Sequence, residues 1–523
     1  MSDFKLTYAS MFSPPEELHQ LYEGAIPKIK ALLDASHGMM INNKDHFFTE
    51  TFENRSPVNT DWVLARLPQG RVEDARLAIK AARAAFPRWS AISWQNRVRL
   101  VRRVADLIEE RIYELAVATS LNVGKNRMES LGDIQEAADL LRAACDSMER
   151  NQGYITPMGT EPLPGYAVHN LSVMKPYGVW LVISPFNFPS SLTCGPAGAA
   201  LVSGNTVVTK PSVETAWAVR LLAECFRDAG LPDGVFNYVT GQNEPLGQAL
   251  LDSPEVDGIT FTGSYAVGMK IYRENATFRY PRPLVLEMGG KNAAVVSRNA
   301  DVERAAWGIA RSGFGAQGQK CSAPSRVYAE APIYDKLLER IVEITRSLRV
   351  GDPTARQTDL GPVIRERSYR SYIQYCQELS QAGNIVTGGR TLTENGLAKG
   401  YYCEPTVVTR IPREHRLWKH EMFVPVVMID RVNDLDEALA LANDVHYGLT
   451  GAFFGTRAEA EEYMKRIQVG VAYVNRPQGA CTGAWPGYQS FGGWKGSGAT
   501  GKGSGGPYYL LSYLREQSQT MVD

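Results

Sequence analysis

The sequence predicts an α/β protein of the doubly wound class, and three observations predict it. Short apolar runs recur at 179–183, 206–209, 235–239, 258–261 and 284–286, each the length of one strand. Helical patterns separate most of them, notably at 216–228 and 265–274. A second series follows: strand 293–296, helix 301–316, strand 325–329, helix 333–349, then strands near 425–430 and 470–474. Strand and helix alternating in this way build a parallel sheet flanked by helices. The 523 residues leave room for two or three domains at roughly 150 residues each.

Each remaining stretch has its own signature. Residues 14–35 read as one or two amphipathic helices. Residues 72–150 are helix-rich, with helical spacing in Val101, Val104, Leu107 and Ile108 and again in Ala137, Ala138, Leu140 and Leu141. Residues 154–176 read as a hairpin and 508–515 as a strand, both apart from the two series. The Gly/Ser-rich stretch 492–506 reads as an irregular loop. Within it, Gly496 to Gly501 matches the dinucleotide fingerprint G-x-G-x-x-G, but it opens no helix, so a flexible or turn-forming loop is the better reading. The same stretch misses a phosphate loop, because Gly503 stands where Ser or Thr is needed.

Composition excludes several classes. Apolar residues make up 44%, ordinary for a chain with a real core. Net charge is +0 with a pI of about 7.1, and no basic stripe supports nucleic-acid binding. No apolar run reaches the roughly 20 residues that span a bilayer, and the first eight residues carry Asp3 and Lys5 rather than a signal-peptide core. The seven cysteines are odd in number and scattered, without Cys-x-x-Cys. That argues against a disulfide framework, against a metal site and for a reducing cytoplasm.

Polar residues cluster where such sheets bind ligands, after the carboxyl ends of strands. Ser184-Pro185-Phe186-Asn187-Phe188-Pro189 follows the first run. Lys210-Pro211-Ser212 follows the second, Thr262-Gly263-Ser264 the fourth, and Glu287-Met288-Gly289-Gly290-Lys291 the fifth. Singly, each has a plain explanation: Asn187 as a turn residue, Ser264 as a helix cap, Lys210 as a surface charge, Glu287 as a loop carboxylate. Cys321 lies in Gly318-Gln319-Lys320-Cys321-Ser322-Ala323, on a loop between a helix and a strand. A lone cysteine is more often a buried structural residue. On a polar loop it is a candidate nucleophile, its pKa expected to be lowered by a nearby cation or helix end.

Taken together and in this order, the motifs Pro-Phe-Asn-Phe-Pro, Thr-Lys-Pro-Ser, Phe-Thr-Gly-Ser, Glu-Met-Gly-Gly-Lys and Gly-Gln-Lys-Cys, with Glu421-Met422-Phe423 before Pro425, resemble the aldehyde dehydrogenase family. The resemblance runs from about Phe52 to the C-terminus, and Glu287 lies 34 residues before Cys321, as in that family. It implies two doubly wound α/β domains plus a small β oligomerisation extension. The cofactor-binding domain would comprise 1–153 and 177–288, the catalytic domain 289–490, and the oligomerisation segments 154–176 and 500–523. It implies Cys321 as nucleophile, Asn187 and the Cys321 N–H as oxyanion donors, and Glu287 as the base that activates water. NAD, with NADP left open, would be held by Ser184, Pro185, Phe186, Lys210, Ser212, Gly241, Gly263, Ser264, Met288, Gly289, Glu421 and Phe423. A homo-oligomer of unspecified size is implied, with a small aldehyde as substrate and no nucleic acid, membrane or metal.

Two features resemble the branch that oxidises glutamate semialdehyde. One is Ser322 after the nucleophile, which in that branch helps bind the substrate carboxylate. The other is Thr482-Gly483-Ala484, whose backbone N–H groups bind the amino-acid end; Phe188 would line the same pocket. A hydroxyl and a run of N–H donors make a sensible anion nest. There are departures. The stretch between Asn475 and Thr482 is about three residues longer than the branch pattern. Trp485-Pro486 replaces small aliphatic residues, which would reshape the mouth or suit an aromatic aldehyde. Val424 and His420 replace the usual Gly and Glu, and Val213 replaces a Glu that grips the adenine ribose in NAD users. An aromatic or aliphatic aldehyde within the family stays open as an alternative substrate, and a non-catalytic binding or structural relative as an alternative class.

Overall fold

The computed structural model describes residues 4–523. Two seven-stranded sheets dominate it. The first runs in the order Leu284–Glu287, Gly258–Thr262, Val179–Ser184, Thr206–Pro211, Phe236–Tyr238, then the hairpin Met39–Ile41 and Lys44–His46. Its strands from 179 onward are parallel. Sequence order reverses direction at Val179–Ser184, which has a later strand on either side. That reversal opens a crevice at the carboxyl end of the strand.

The second sheet runs Asn384–Thr387, Thr406–Thr409, Val426–Val432, Pro324–Glu330, Asn292–Val296, Thr450–Phe454, Val471–Val474, parallel except at the first pair. Only four residues, 288–291, separate the edge strand Leu284–Glu287 of the first sheet from the central strand Asn292–Val296 of the second. The active chemistry expected from the sequence therefore falls where one sheet ends and the other begins.

The elements follow the sequence closely. The helix expected at 216–228 is Ala216–Asp228, with Trp217, Leu222 and Phe226 buried on its apolar stripe. Asp301 caps helix Val302–Phe314, its side chain accepting from Arg304 N at 3.0 Å. The N-terminal amphipathic segment is one helix, Glu16–Lys30.

The C-terminus differs from expectation. Residues Tyr509–Tyr513 form a 3₁₀ turn, and the strand is Leu514–Val522. The aromatics explain this. Tyr513 is fully buried, its ring 4.4 Å from that of Trp180, and its hydroxyl donates to Tyr509 at 2.7 Å. An extended chain would turn alternate side chains away from that core. Strand Leu514–Val522 pairs with Val168–Pro176, which pairs with Ile155–Pro157, in a separate antiparallel sheet. Among the described residues no helix is long and apolar enough to cross a membrane.

Candidate active site

A cleft of about 300 Å³ opens between the two sheets. Cys321, Glu287 and Asn187 all line it. So do Pro185, Phe186, Gly263, Ser264, Met288, Gly289, Glu421 and Phe423. Eleven residues singled out by sequence thus meet in one place. Ser264 caps helix Tyr265–Asn275, accepting from Val267 N at 3.4 Å, so the unpaired N–H groups of that helix face the cleft. Phe423 stands edge-on to Phe186 at 5.7 Å.

Cys321 is presented by an unusual turn. Helix Val302–Phe314 runs into a 3₁₀ segment in which Ala316 and Gln317 both have positive φ, 47° and 58°. Such residues are costly and persist only when their surroundings fix them. The fixing groups are visible. Ala316 N–H donates to Glu129 Oε1 at 2.7 Å, the Gln317 amide donates to Gly124 O at 3.1 Å, and Gln319 Oε1 accepts from Ile364 N at 3.1 Å. Asn292, at the start of the second sheet, holds the Cys321 carbonyl at 2.6 Å. A Cβ at Gly318 would collide with the Val424 carbonyl, and one at Gly290 with the Cys321 carbonyl.

The electrostatics correct one expectation. No cation lowers the Cys321 thiol. Burial, with Glu421 and Glu287 nearby, pushes it up to about 12. Lys320 does not offset this: burial lowers its own pKa, and its ammonium group lies beside Gly315 near the Glu129 carboxylate. Glu287 is also raised, well above the usual carboxylate range, by burial; a Gly493 N–H opposes the shift. Its Oε2 is buried without a partner. Glu421 is raised to about 7 by burial and accepts from Gly290 N at 2.8 Å.

The glycine-rich stretch that imitates a dinucleotide loop has a different task. It is a bonded strap across the first sheet's edge strand. Met288 N donates to Ser497 O at 2.8 Å and Ala499 N to Leu286 O at 3.2 Å, and Gly498 bridges Glu287. The Ser497 hydroxyl is buried and donates to Gly289 O at 2.7 Å. Glycine is needed because a Cβ at Gly498 would meet the Gly493 backbone at 2.5 Å.

A second cavity, of about 430 Å³, lies beyond Lys320. Phe188 and Gly483 line it as expected. Lys125, fully buried, sits 3.9 Å over the Phe188 ring and 3.2 Å from Asp133. Ser322 and Ala484 are buried and line neither cavity. The Ser322 carbonyl accepts from Thr450 Oγ1 at 3.1 Å. Trp485 lines neither cavity. It is 3% exposed, donates to Asp139 Oδ2 at 2.9 Å and packs edge-on to Tyr8 at 5.0 Å. The N-terminal segment, which the resemblance placed in the cofactor-binding domain, supplies Tyr8, Met11 and Phe12 to this wall.

The sequence profile of the aldehyde dehydrogenase family matches residues 44–518. The chain belongs to that family. It is 36% identical over 509 residues to the 1-pyrroline-5-carboxylate dehydrogenase of Geobacillus sp. (strain WCH70), covering 96% of each chain. To the enzyme of that name from Staphylococcus epidermidis it is 35% identical over 497 residues, covering 94% of each. A crystal structure of 1-pyrroline-5-carboxylate dehydrogenase from Thermus with bound NAD matches with a TM-score of 0.92 and 32% identity, covering 100% of this chain and 99% of that one. An Escherichia coli NADP-dependent enzyme matches with a TM-score of 0.86 and 28% identity, covering 94% and 99%.

This aldehyde dehydrogenase departs from the sequence expectation at the other end of the cofactor-binding set. Ser184, Lys210, Ser212 and Gly241 do not line the cleft. Ser184 is buried, its hydroxyl sharing a hydrogen bond of 2.7 Å with Thr193. Lys210 is buried, 3.5 Å from Pro211 O and from Asn243 Oδ1, and burial lowers it to about 8. Ser212 donates to Glu214, whose carboxylate also pairs with Arg365. Gly241, at φ 151°, packs on Gly70. Arg365, its guanidinium 5.0 Å over the Phe186 ring, lines the cleft together with Arg367 and Ser368. Nothing in their local sequence marks these three, because they follow no strand end of the first sheet.

Gly289 gives a direct test of the cleft's fit. A Cβ there would collide with the Glu421 carboxyl. Gly289→Ala is expected to displace Glu421 and raise the cofactor Kd by about tenfold, the scale of one charge-assisted hydrogen bond. Fluorescence titration with NAD checks this, and an unchanged Kd would remove Glu421 from the cofactor site.

Proposed function

We propose that the protein oxidises L-glutamate γ-semialdehyde, the open form of 1-pyrroline-5-carboxylate, to L-glutamate with NAD, releasing the product by hydrolysis. The observation that carries the reaction class is the meeting of Cys321, Glu287 and Asn187 in one cleft. The substrate rests on full-length similarity to enzymes of that name.

The residues present fit a dinucleotide. Ser264 and its helix N-terminus offer free N–H groups to a pyrophosphate. Gly263, Met288 and Gly289 let a flat ligand approach the backbone, and Glu421 offers a carboxylate to a ribose diol. When bound, the nicotinamide ring accepts the hydride from the substrate carbon. The chain's own groups do the rest. The Cys321 thiolate adds to the aldehyde carbon. The Asn187 amide and the Cys321 N–H receive the oxyanion. Loss of hydride leaves a thioester on Cys321. Glu287 then takes a proton from water, which adds to the thioester and expels the thiolate. The balance is aldehyde, water and oxidised cofactor to acid, reduced cofactor and a proton.

Burial raises the pKa of Glu287, which makes its carboxylate a stronger base for this step. An aromatic aldehyde loses its main support, because Trp485 faces Asp139 rather than the cavity. The test is kcat/KM for glutamate semialdehyde, succinic semialdehyde and benzaldehyde, each with NAD and NADP. Preference for glutamate semialdehyde with NAD is expected. Preference for benzaldehyde would overturn the substrate, and preference for NADP the cofactor.

A further inference from the structure

Arg365 stands where the two halves of the molecule meet. It immediately precedes helix Glu366–Ala382, whose Tyr372, Cys376 and Leu379 share a core with Val408, Val426 and Met428 of the second sheet. Its guanidinium reaches back to the first half. There it pairs with the Glu214 carboxylate and lies 5.0 Å over the ring of Phe186. Glu214 and Phe186 lie just beyond the ends of the neighbouring strands Thr206–Pro211 and Val179–Ser184.

Both ends of this bridge are fixed. The Glu214 carbonyl accepts from Asn122 Nδ2 at 2.8 Å and from Asn54 Nδ2 at 3.0 Å, and its carboxylate also takes the Ser212 hydroxyl. On the other side, Ile364 N–H donates to Gln319 Oε1 at 3.1 Å, two residues before Cys321. Glu214 takes one guanidinium N–H and is the only hydrogen-bond partner of the Arg365 side chain among the described residues. Stacking over a ring leaves the in-plane donors unspent, and Nε is buried without a partner.

The charges of the cleft set a requirement. Among the described residues that line it, only Arg365 and Arg367 are cationic, and its carboxylates are Glu287 and Glu421. A helix N-terminus offers about half a positive charge, whereas a pyrophosphate brings two negative ones. Arg367 is exposed on the first turn of its helix, whereas Arg365 is half-buried and already oriented by Glu214 and Phe186.

We propose that Arg365 is a phosphate receptor for the cofactor, meeting the pyrophosphate from the second half of the molecule as the N-terminus of helix Tyr265–Asn275 does from the first. This deepens the function proposed above and rests on its dinucleotide. The cleft holds about 300 Å³, the low end for a ligand pocket, so a dinucleotide that enters it touches both walls. A planar fork of N–H donors suits phosphate oxygens, and a guanidinium oriented beforehand loses little freedom on binding.

The test reads binding rather than turnover. NADH would be titrated by its fluorescence and ADP-ribose, which keeps both phosphates and lacks the nicotinamide, by calorimetry. Each would be measured at low and high salt on the wild type, Arg365→Met, Arg367→Met and Glu214→Gln. Arg365→Met is expected to raise both Kd values by about tenfold, the scale of one charge-assisted hydrogen bond, and to flatten their salt dependence. Arg367→Met removes the same charge from an unfixed side chain and should cost less than about threefold. Glu214→Gln keeps the guanidinium and removes a competing carboxylate, so both ligands should bind at least as tightly as to the wild type. Kd values within about twofold of the wild type in Arg365→Met would overturn the proposal. So would an equal loss in Glu214→Gln, which would make Arg365 a brace between the halves, or in Arg367→Met, which would leave only the general charge of the cleft. Wild-type binding of NADH keeps the dinucleotide reading standing in each of these cases. A wild type that binds neither ligand would instead sink that reading.

Discussion

Cys321→Ala is expected to abolish formation of reduced cofactor with every aldehyde. A nucleophile that forms the covalent intermediate has no substitute in the cleft, and losing one elsewhere costs about a million-fold. The other six cysteines are buried, so a single reactive thiol is expected in the wild type and none in the variant. The acidity of Cys321 makes a sharper statement. With the thiol at about 12, roughly one in ten thousand is ionised at pH 8. Alkylation of the free protein by iodoacetamide should therefore be slow at neutral pH and rise about tenfold per pH unit, without a plateau below about pH 11. Intact-mass kinetics read this directly. Rapid single labelling at pH 7 would show that burial, with Glu421 and Glu287, does not hold the thiol up. Reduced cofactor formed by the alanine variant would remove Cys321 from the chemistry altogether.

Glu287→Gln should separate the two halves of the reaction. Acylation needs the thiol and the oxyanion donors, which the change leaves in place. Hydrolysis needs the base, and a general base contributes about 100- to 10,000-fold. A burst of reduced cofactor close to one per active site is expected, followed by turnover slowed by that factor, with a thioester adduct in the mass spectrum. The pH dependence has a definite sign. Only ionised Glu287 can take a proton from water, and burial raises its pKa. The turnover number limited by hydrolysis should therefore climb with pH above the ordinary carboxylate range, and that limb should vanish in the glutamine variant. Wild-type turnover in the variant would assign the base elsewhere.

Much of this was legible in residues alone, for physical reasons. Helix Ala216–Asp228 announces itself through apolar spacing, and the five parallel strands of the first sheet through short, mostly buried apolar runs, whereas the hairpin Met39–Ile41 and Lys44–His46, with its polar outer strand, gave no such signal. Because ligands meet such sheets at strand ends, the polar residues just after those runs were pointers to the cleft. The failures share a different cause. Acidity depends on which charges face a group in space, and Lys320, adjacent to Cys321 in sequence, turns to Glu129 instead. The buried turn Tyr509–Tyr513 replaced an expected strand because its aromatics found a core contributed by Trp180. Tyr8 and Phe12 lie about three hundred residues in sequence from Arg311, which lines the same cavity, and no motif links them to it. Their partnership exists only after folding.

The strap at Ser497 and Gly498 has a consequence for the order in which the molecule matures. Glu287 sits on a strand of the first sheet, yet Gly493, Ser497 and Gly498, which bond to it and to its neighbours, arrive on the ribosome about two hundred residues later. Until they arrive, that edge of the strand lacks the partners that bond to it in the folded protein. The growing chain can form a nearly complete first sheet without a working catalyst. A reactive aldehyde then meets a competent site only on a protein whose synthesis is almost finished.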